Sequence, residues 1–171
     1  MGFPLDHETP KEWVALVERD PLALLEDHAH CELKAAASAH ALIAKNPDRA
    51  ELVRDLADIA IEELEHFKVV VAELEARGGS LGEQSENTYA AGLHRGSAAT
   101  RESLVLDRLV IAHLIEARSL ERFHLLAEGA TDERLRALEG ELMASRPFSH
   151  TVHSGMVGAP GPAEAAAGLR P

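Results

Sequence analysis

Aromatic residues are scarce in this chain: one Trp, one Tyr and four Phe among 171 residues. Sheets draw on aromatic and β-branched side chains, so this shortage speaks against a β fold. Cysteine occurs once, as Cys31. That excludes an internal disulfide and a cysteine-based zinc site. No run of eighteen apolar residues is present, so no membrane-spanning helix is expected. The stretch from Met1 to Asp20 is charged and has no apolar core, so it does not read as a signal peptide, and a cytoplasmic location is the expectation. Basic residues are also short, 17 against 29 acids, for a net charge of −12. Such a balance argues against a non-specific nucleic-acid binder. The deficit is uneven, however. Residues 1–86 carry 19 acids and 8 bases, whereas residues 87–122 carry 4 acids and 5 bases. Only that middle segment can present a locally basic face, through Arg95, Arg101, Arg108, Arg118 and Arg122.

What the chain has instead is Ala, Leu, Glu and Arg, the residues that lose least on entering a helix. The punctuation divides it cleanly. A short helix follows Pro10, over Lys11 to Arg19. Pro21 suits the first turn of a second helix, about 21–45. Asn46-Pro47-Asp48 is a turn and a helix start. The third helix runs from about 48 to 76 and stops at Gly78-Gly79. Residues 78–100 are too long and too Gly/Ser/Asn-rich for a tight bundle turn. A long helix over about 101–128 ends at Gly129, and another reads from Thr131 to about Ser145. Pro147 then breaks the pattern. No strand pattern appears. These readings give an all-α fold: a four-helix bundle of two hairpins joined by one long crossover, with the fourth helix shortened or disrupted. Residues 1–153 form the domain, and the Gly/Pro/Ala-rich stretch 154–171 is expected to be a disordered tail.

Three apolar stripes are interrupted by acids. The third helix reads Leu52, Leu56, Ile59, Glu63, His66, Val70, alternating steps of four and three along one face. The second reads Leu25, His28, Glu32, Ala35, Ala39, Leu42. The fourth element reads Leu109, Ala112, Glu116, Leu120, Phe123. A buried carboxylate costs several kcal/mol to desolvate. Two of them about 4 Å apart repel by roughly 4 kcal/mol at an effective dielectric of ~20. A cation between them removes both costs, and a metal ion is the simplest one. Glu63-Leu64-Glu65-His66 is a Glu-x-x-His motif, whose first and last residues share a helix face and can hold one metal. Glu and His donors with open positions suit iron or manganese better than zinc. The bland alternative is a misphased stripe, with these acids facing solvent.

Bundle carboxylate centres take one Glu from each of two helices and a Glu-x-x-His from each of the other two. Glu32 precedes Glu63 by 31 residues. The same interval after Glu116 leads to Ser145-Arg146-Pro147-Phe148-Ser149-His150, where no second motif stands. His150 and His153 have His-x-x-His spacing and could fill in. His28 and His113 each lie one turn before an acid and read either as its partner or as a packed structural histidine. Cys31 reads as a small core residue, and Trp13 as a packing anchor.

Four stretches occur in the order of one family. They are Asp27-His28-Ala29-His30-Cys31-Glu32-Leu33-Lys34-Ala35-Ala36, Glu62-Glu63-Leu64-Glu65-His66-Phe67, Tyr89-Ala90-Ala91-Gly92-Leu93 and Ile115-Glu116-Ala117-Arg118-Ser119-Leu120-Glu121-Arg122-Phe123. On these residues the chain resembles the tRNA hydroxylases that act on 2-methylthio-N6-isopentenyladenosine, the hypermodified purine beside the anticodon. The resemblance runs from about residue 10 to residue 145. It implies a ferritin-like bundle with a non-haem di-iron centre that uses dioxygen and an external electron donor to hydroxylate the isopentenyl group. It implies tRNA and an electron-transfer reductase as partners. It makes Glu32, Glu63, His66 and Glu116 iron ligands, with Glu63 bridging two irons.

The resemblance stops abruptly. Arg146 stands where the family has the second-motif Glu, and Ser149 where it has the His. The sudden loss, followed by a Pro/Gly/Ala-rich tail, is the mark of a frameshift in the gene or its sequencing, a hypothesis that resequencing tests. Physically, one iron keeps Glu32, Glu63 and His66, while a second has only Glu116 and a share of Glu63. Function therefore divides three ways: a tRNA hydroxylase, impaired or not, with Arg95, Arg101 and Arg108 on phosphates; another ferritin-like iron redox protein such as a ferroxidase or peroxidase; or a metal-poor, inactive bundle.

Overall fold

The computed structural model describes residues 5, 7–83 and 101–144, with the helical backbone alone for 101–103. Among the described residues there are five helices and no strand: α1 (Glu12–Val17), α2 (Pro21–Lys45), α3 (Ala50–Ala76), α4 (Arg101–Gly129) and α5 (Glu133–Ala144). An all-α bundle is what the sequence leads one to expect. The crossover segment 84–100, the basic residue Arg95 and everything from Ser145 onward lie outside the described residues, as do the expected tail and His150 and His153.

Local chemistry sets the boundaries. The Asp20 carboxylate accepts from the Ala23 amide at 3.1 Å, and Pro21 occupies the first turn of α2. Asn46 closes that helix: its side-chain amide donates to the Leu42 carbonyl, and the residue is 1% exposed. At the end of α3, the Gly79 amide reaches back five residues to the Leu74 carbonyl. Gly78 adopts φ +80°, which a side chain would resist. Asp132 caps α5 by accepting from the amides of Arg134 and Leu135.

α2 and α3 form an extended antiparallel hairpin, and α4 and α5 form the second. The core divides by height. At one end Leu25, Ala29, Val70 and Leu74 meet Leu135, Leu138 and Leu142 of α5. At the other end Ala39, Leu52, Leu56 and Val105 pack together, flanked by Ile59 and Leu109, without α5. A third cluster, Val14, Leu126 and Ala130, holds α1 against the end of α4. At about 1.5 Å per residue, the described part of α5, Glu133–Ala144, spans ~18 Å. The polar residues that interrupt the stripes occupy the level between the first two clusters.

Candidate metal centre

α2 contributes Glu32, and one turn earlier His28. α3 contributes Glu63 and His66 from one face. Glu32, Glu63 and His66 each offer one donor atom such that all three lie within 4.8 Å of one another. The three are 3–5% exposed. The His66 Nδ1 atom lies 3.6 Å from Glu63 Oε2 and 3.9 Å from Glu32 Oε2. The Glu32 and Glu63 carboxylates do not face solvent, so the stripes of α2 and α3 turn inward as their periodicity indicates.

Two carboxylates and an imidazole, enclosed at this spacing, form a suitable donor set for one divalent iron or manganese ion. A cation there removes the carboxylate repulsion that the apolar layers on either side would otherwise magnify. Among the described residues no other group of three or more such side chains gathers. Glu116 is half-buried on α4 and does not belong to that group. The structure thus brings together three of the four residues that the resemblance made ligands. Positions 146 and 149, where the resemblance places a second Glu-x-x-His, are Arg and Ser and lie outside the described residues. The side chains of Arg95 and Arg101 lie outside the described residues, and Arg108 is half-buried on α4.

A second polar layer adjoins the first. His28 Nε2 lies 2.8 Å from Glu32 Oε1. His28 Nδ1 faces Glu139 Oε1 at 3.5 Å. The ring stacks on Phe123, with centroids 4.5 Å apart and planes 29° from parallel. Burial works to lower the His28 pKa, but the carboxylates of Glu139 and Glu32 outweigh it and raise the value to about 9. The residue is therefore the partner of Glu32 and not merely a packed histidine; its counterpart His113 is half-buried. Glu139 is fully buried, 0% exposed, and the sequence reading passed it over. Its signal was present: it interrupts the Leu135, Leu138, Leu142 stripe as Glu32 interrupts its own.

Other residues take supporting roles. Cys31 is half-buried, and burial, aided by Asp27, pushes its thiol up to about 11, so it stays protonated. Glu121 accepts from the Thr9 amide and hydroxyl and pairs with Arg118, which also donates to the His7 carbonyl. Two residues of the most family-specific stretch thus tie the N-terminal segment to α4. Trp13 lies under the Arg122 guanidinium at 5.2 Å.

The family described as tRNA-(MS[2]IO[6]A)-hydroxylase (MiaE) matches residues 3–152. A tRNA 2-(methylsulfanyl)-N(6)-isopentenyladenosine(37) hydroxylase of Pseudomonas putida is 38% identical over 134 residues, which is 78% of this chain and 65% of that protein. The chain thus spans just under two thirds of that relative's length. The protein of the same name from Salmonella typhimurium is 27% identical, covering 80% of this chain and 68% of its own length. A solved structure, named as protein 43 with aldehyde deformylating oxygenase activity from Synechococcus, superposes with a TM-score of 0.87 at 36% identity. It covers 96% of this chain and 81% of that one.

Proposed function

The chain belongs to the MiaE family of tRNA hydroxylases, and from that membership we propose that it is a non-haem iron oxygenase hydroxylating the isopentenyl group of 2-methylthio-N6-isopentenyladenosine in tRNA. The observation that carries this reading is the buried Glu32–Glu63–His66 group between two apolar layers. Bound there, iron would activate dioxygen: one oxygen atom enters a substrate C–H bond, and the other leaves as water with two protons and two electrons from an external donor. Glu32, Glu63 and His66 hold the metal, and the flanking leucines and alanines keep bulk water from the layer.

The described donor set supports one iron per chain, and Glu116 is not part of it. Elemental analysis of protein purified without chelators should give about one metal. Two would show that other residues replace the Glu and His missing at Arg146 and Ser149. The substrate is tested by expressing the chain in a host that makes the isopentenyl nucleoside but lacks its own hydroxylase. Nucleoside mass spectrometry should then show a gain of one oxygen. An unchanged nucleoside pool, from cells containing the metal-loaded protein, would sink the tRNA reading.

Arg95, Arg101 and Arg108 are proposed to contact tRNA phosphates. Arg108→Ala should weaken tRNA binding and lower its salt slope by about 1. Unchanged binding would move the RNA surface elsewhere. A second reading has its own support, the 36% identity to a protein named for aldehyde deformylation. It predicts dioxygen-dependent formate release from an added aldehyde, with no change in tRNA.

A further inference from the structure

Among the described residues α5 places no side chain within the three-residue group, yet it reaches the centre. Glu139 of α5 is 0% exposed, and neither of its oxygens makes a hydrogen bond. What it faces is His28 Nδ1, at 3.5 Å. The opposite nitrogen of that ring meets Glu32 Oε1 at 2.8 Å. Glu32 Oε2, the other oxygen, is the one turned toward His66. The His28 ring is further held by its stack on Phe123 of α4. Three helices thus converge on one imidazole, and the imidazole meets one oxygen of one candidate ligand.

We infer that Glu139 and His28 are positioning residues for the metal: Glu139 orients the His28 ring, and His28 holds Oε1 of Glu32 so that Oε2 is the oxygen offered to a cation on Glu63 and His66. This rests on the metal-centre reading above. A carboxylate free to rotate inside the bundle would present either oxygen, or both, to the ion. Fixing one oxygen makes Glu32 a one-oxygen ligand with a set direction. α5 has the rigidity for this task. Its start is clamped by Arg77, which pairs with both Asp132 and Glu73, and by Arg134, which also reaches Glu73. Its apolar face is buried in the cluster with Leu25, Val70 and Leu74.

The test is Mn²⁺ titration of the purified full chain, read by calorimetry and by the electron paramagnetic resonance of the bound ion. Glu139→Gln, a near-isosteric change, should weaken Mn²⁺ binding by about 10- to 100-fold, the loss typical when a residue behind a ligand is removed. It should leave the metal count unchanged and alter the line shape of the bound ion. His28→Gln should do the same. The double variant should lose little more than either single one, because both act through one contact. If Glu139→Gln loses its helical circular dichroism, Glu139→Leu takes its place with the same expectation, since apolar replacement of buried ionic groups is often tolerated.

Unchanged affinity and line shape in a folded Glu139 variant would overturn the inference. So would the loss of a whole equivalent of metal, which would make Glu139 a ligand itself. Fully additive losses would overturn the shared contact. Failure of the parent chain to bind Mn²⁺ or Fe²⁺ would instead overturn the metal-centre reading beneath it.

Discussion

The two ends of this bundle are built from the same α2–α3 hairpin but are closed differently. At the end carrying Leu25, Val70 and Leu74, α5 adds Leu135, Leu138 and Leu142, and five of these six leucines and valines are 0–1% exposed. At the other end, among the described residues, α2, α3 and α4 pack without α5, and Leu52 and Val105 remain 9% and 7% exposed. The difference shows what α5 contributes. It removes the last of the apolar surface from water, and it brings Glu139 against the polar layer. The candidate metal group lies at the boundary between the two regimes. Glu32 is backed from the four-helix side through His28.

The strongest way to break this comparison is a matched pair of core truncations. Leu135→Ala removes a fully buried leucine from the four-helix end and should cost about 2–5 kcal/mol. Leu52→Ala, at the end without α5, should cost about 2 kcal/mol, the bottom of that range, because its site is less enclosed and collapses more easily. In a chain of this size each kcal/mol moves the melting temperature by roughly 2–4 °C, so thermal denaturation of the chelator-treated protein resolves the difference. Equal losses would mean that α5 does not set the stability of its end.

A second contrast sets the polar layer against the apolar ones. Core leucines stabilise the chain with or without metal. Glu63 and His66 should stabilise it chiefly with metal, because without the ion the layer gathers three carboxylates, Glu32, Glu63 and Glu139, against the imidazoles of His28 and His66. Chelation should lower the melting temperature of the parent chain. Metal at a hundred times its dissociation constant should restore about 2.7 kcal/mol. Glu63→Gln should abolish that restoration while leaving the chelated protein as stable as the parent, or more so. A chelated Glu63→Gln protein that melts well below the chelated parent would show that the layer is held by something other than a missing cation.

The same contrast explains what could be read in advance. Pro21, Asn46-Pro47-Asp48 and Gly78-Gly79 act on the backbone within a few residues, so the ends of α2 and α3 fell within two residues of expectation. Glu32, Glu63 and His66 were legible because a polar residue in an apolar stripe is a local anomaly on a long helix. Glu139 is the same anomaly on a helix of twelve residues, with too few turns to establish the stripe that it breaks. Its partner His28 is 111 positions away, and no local pattern points there. His28 itself was ambiguous because facing Glu32 one turn later is equally compatible with simple packing. Only the arrival of α4 and α5, with Phe123 and Glu139, decides it. Glu116 was legible as an anomaly too, but periodicity specifies a face and not a distance, and that helix does not carry it into the three-residue group.

The smallest expected effect concerns the clamp that seats α5 on the end of α3. The Arg77 guanidinium beside Asp132 holds that carboxyl well below the usual carboxylate range, helped by the amides of Leu135 and Arg134. A carboxyl whose pKa is lower in the folded chain than in the unfolded one stabilises the fold above its unfolded value, near 4, and that contribution fades as pH falls through the folded value. The clamp should therefore support the four-helix end at neutral pH and weaken only on acidification. Asp132 is 30% exposed on its side chain, so solvent screening limits the effect to about 1 kcal/mol. Asp132→Asn should cost that much at pH 7 and progressively less below pH 4, where the carboxyl of the unfolded parent takes up a proton while the folded one stays ionised. The Leu135→Ala loss should stay nearly constant across the same pH range. Asp132→Asn losses that grow toward acid would reverse the sign of the linkage and remove Arg77–Asp132 as the reason that α5 stays seated.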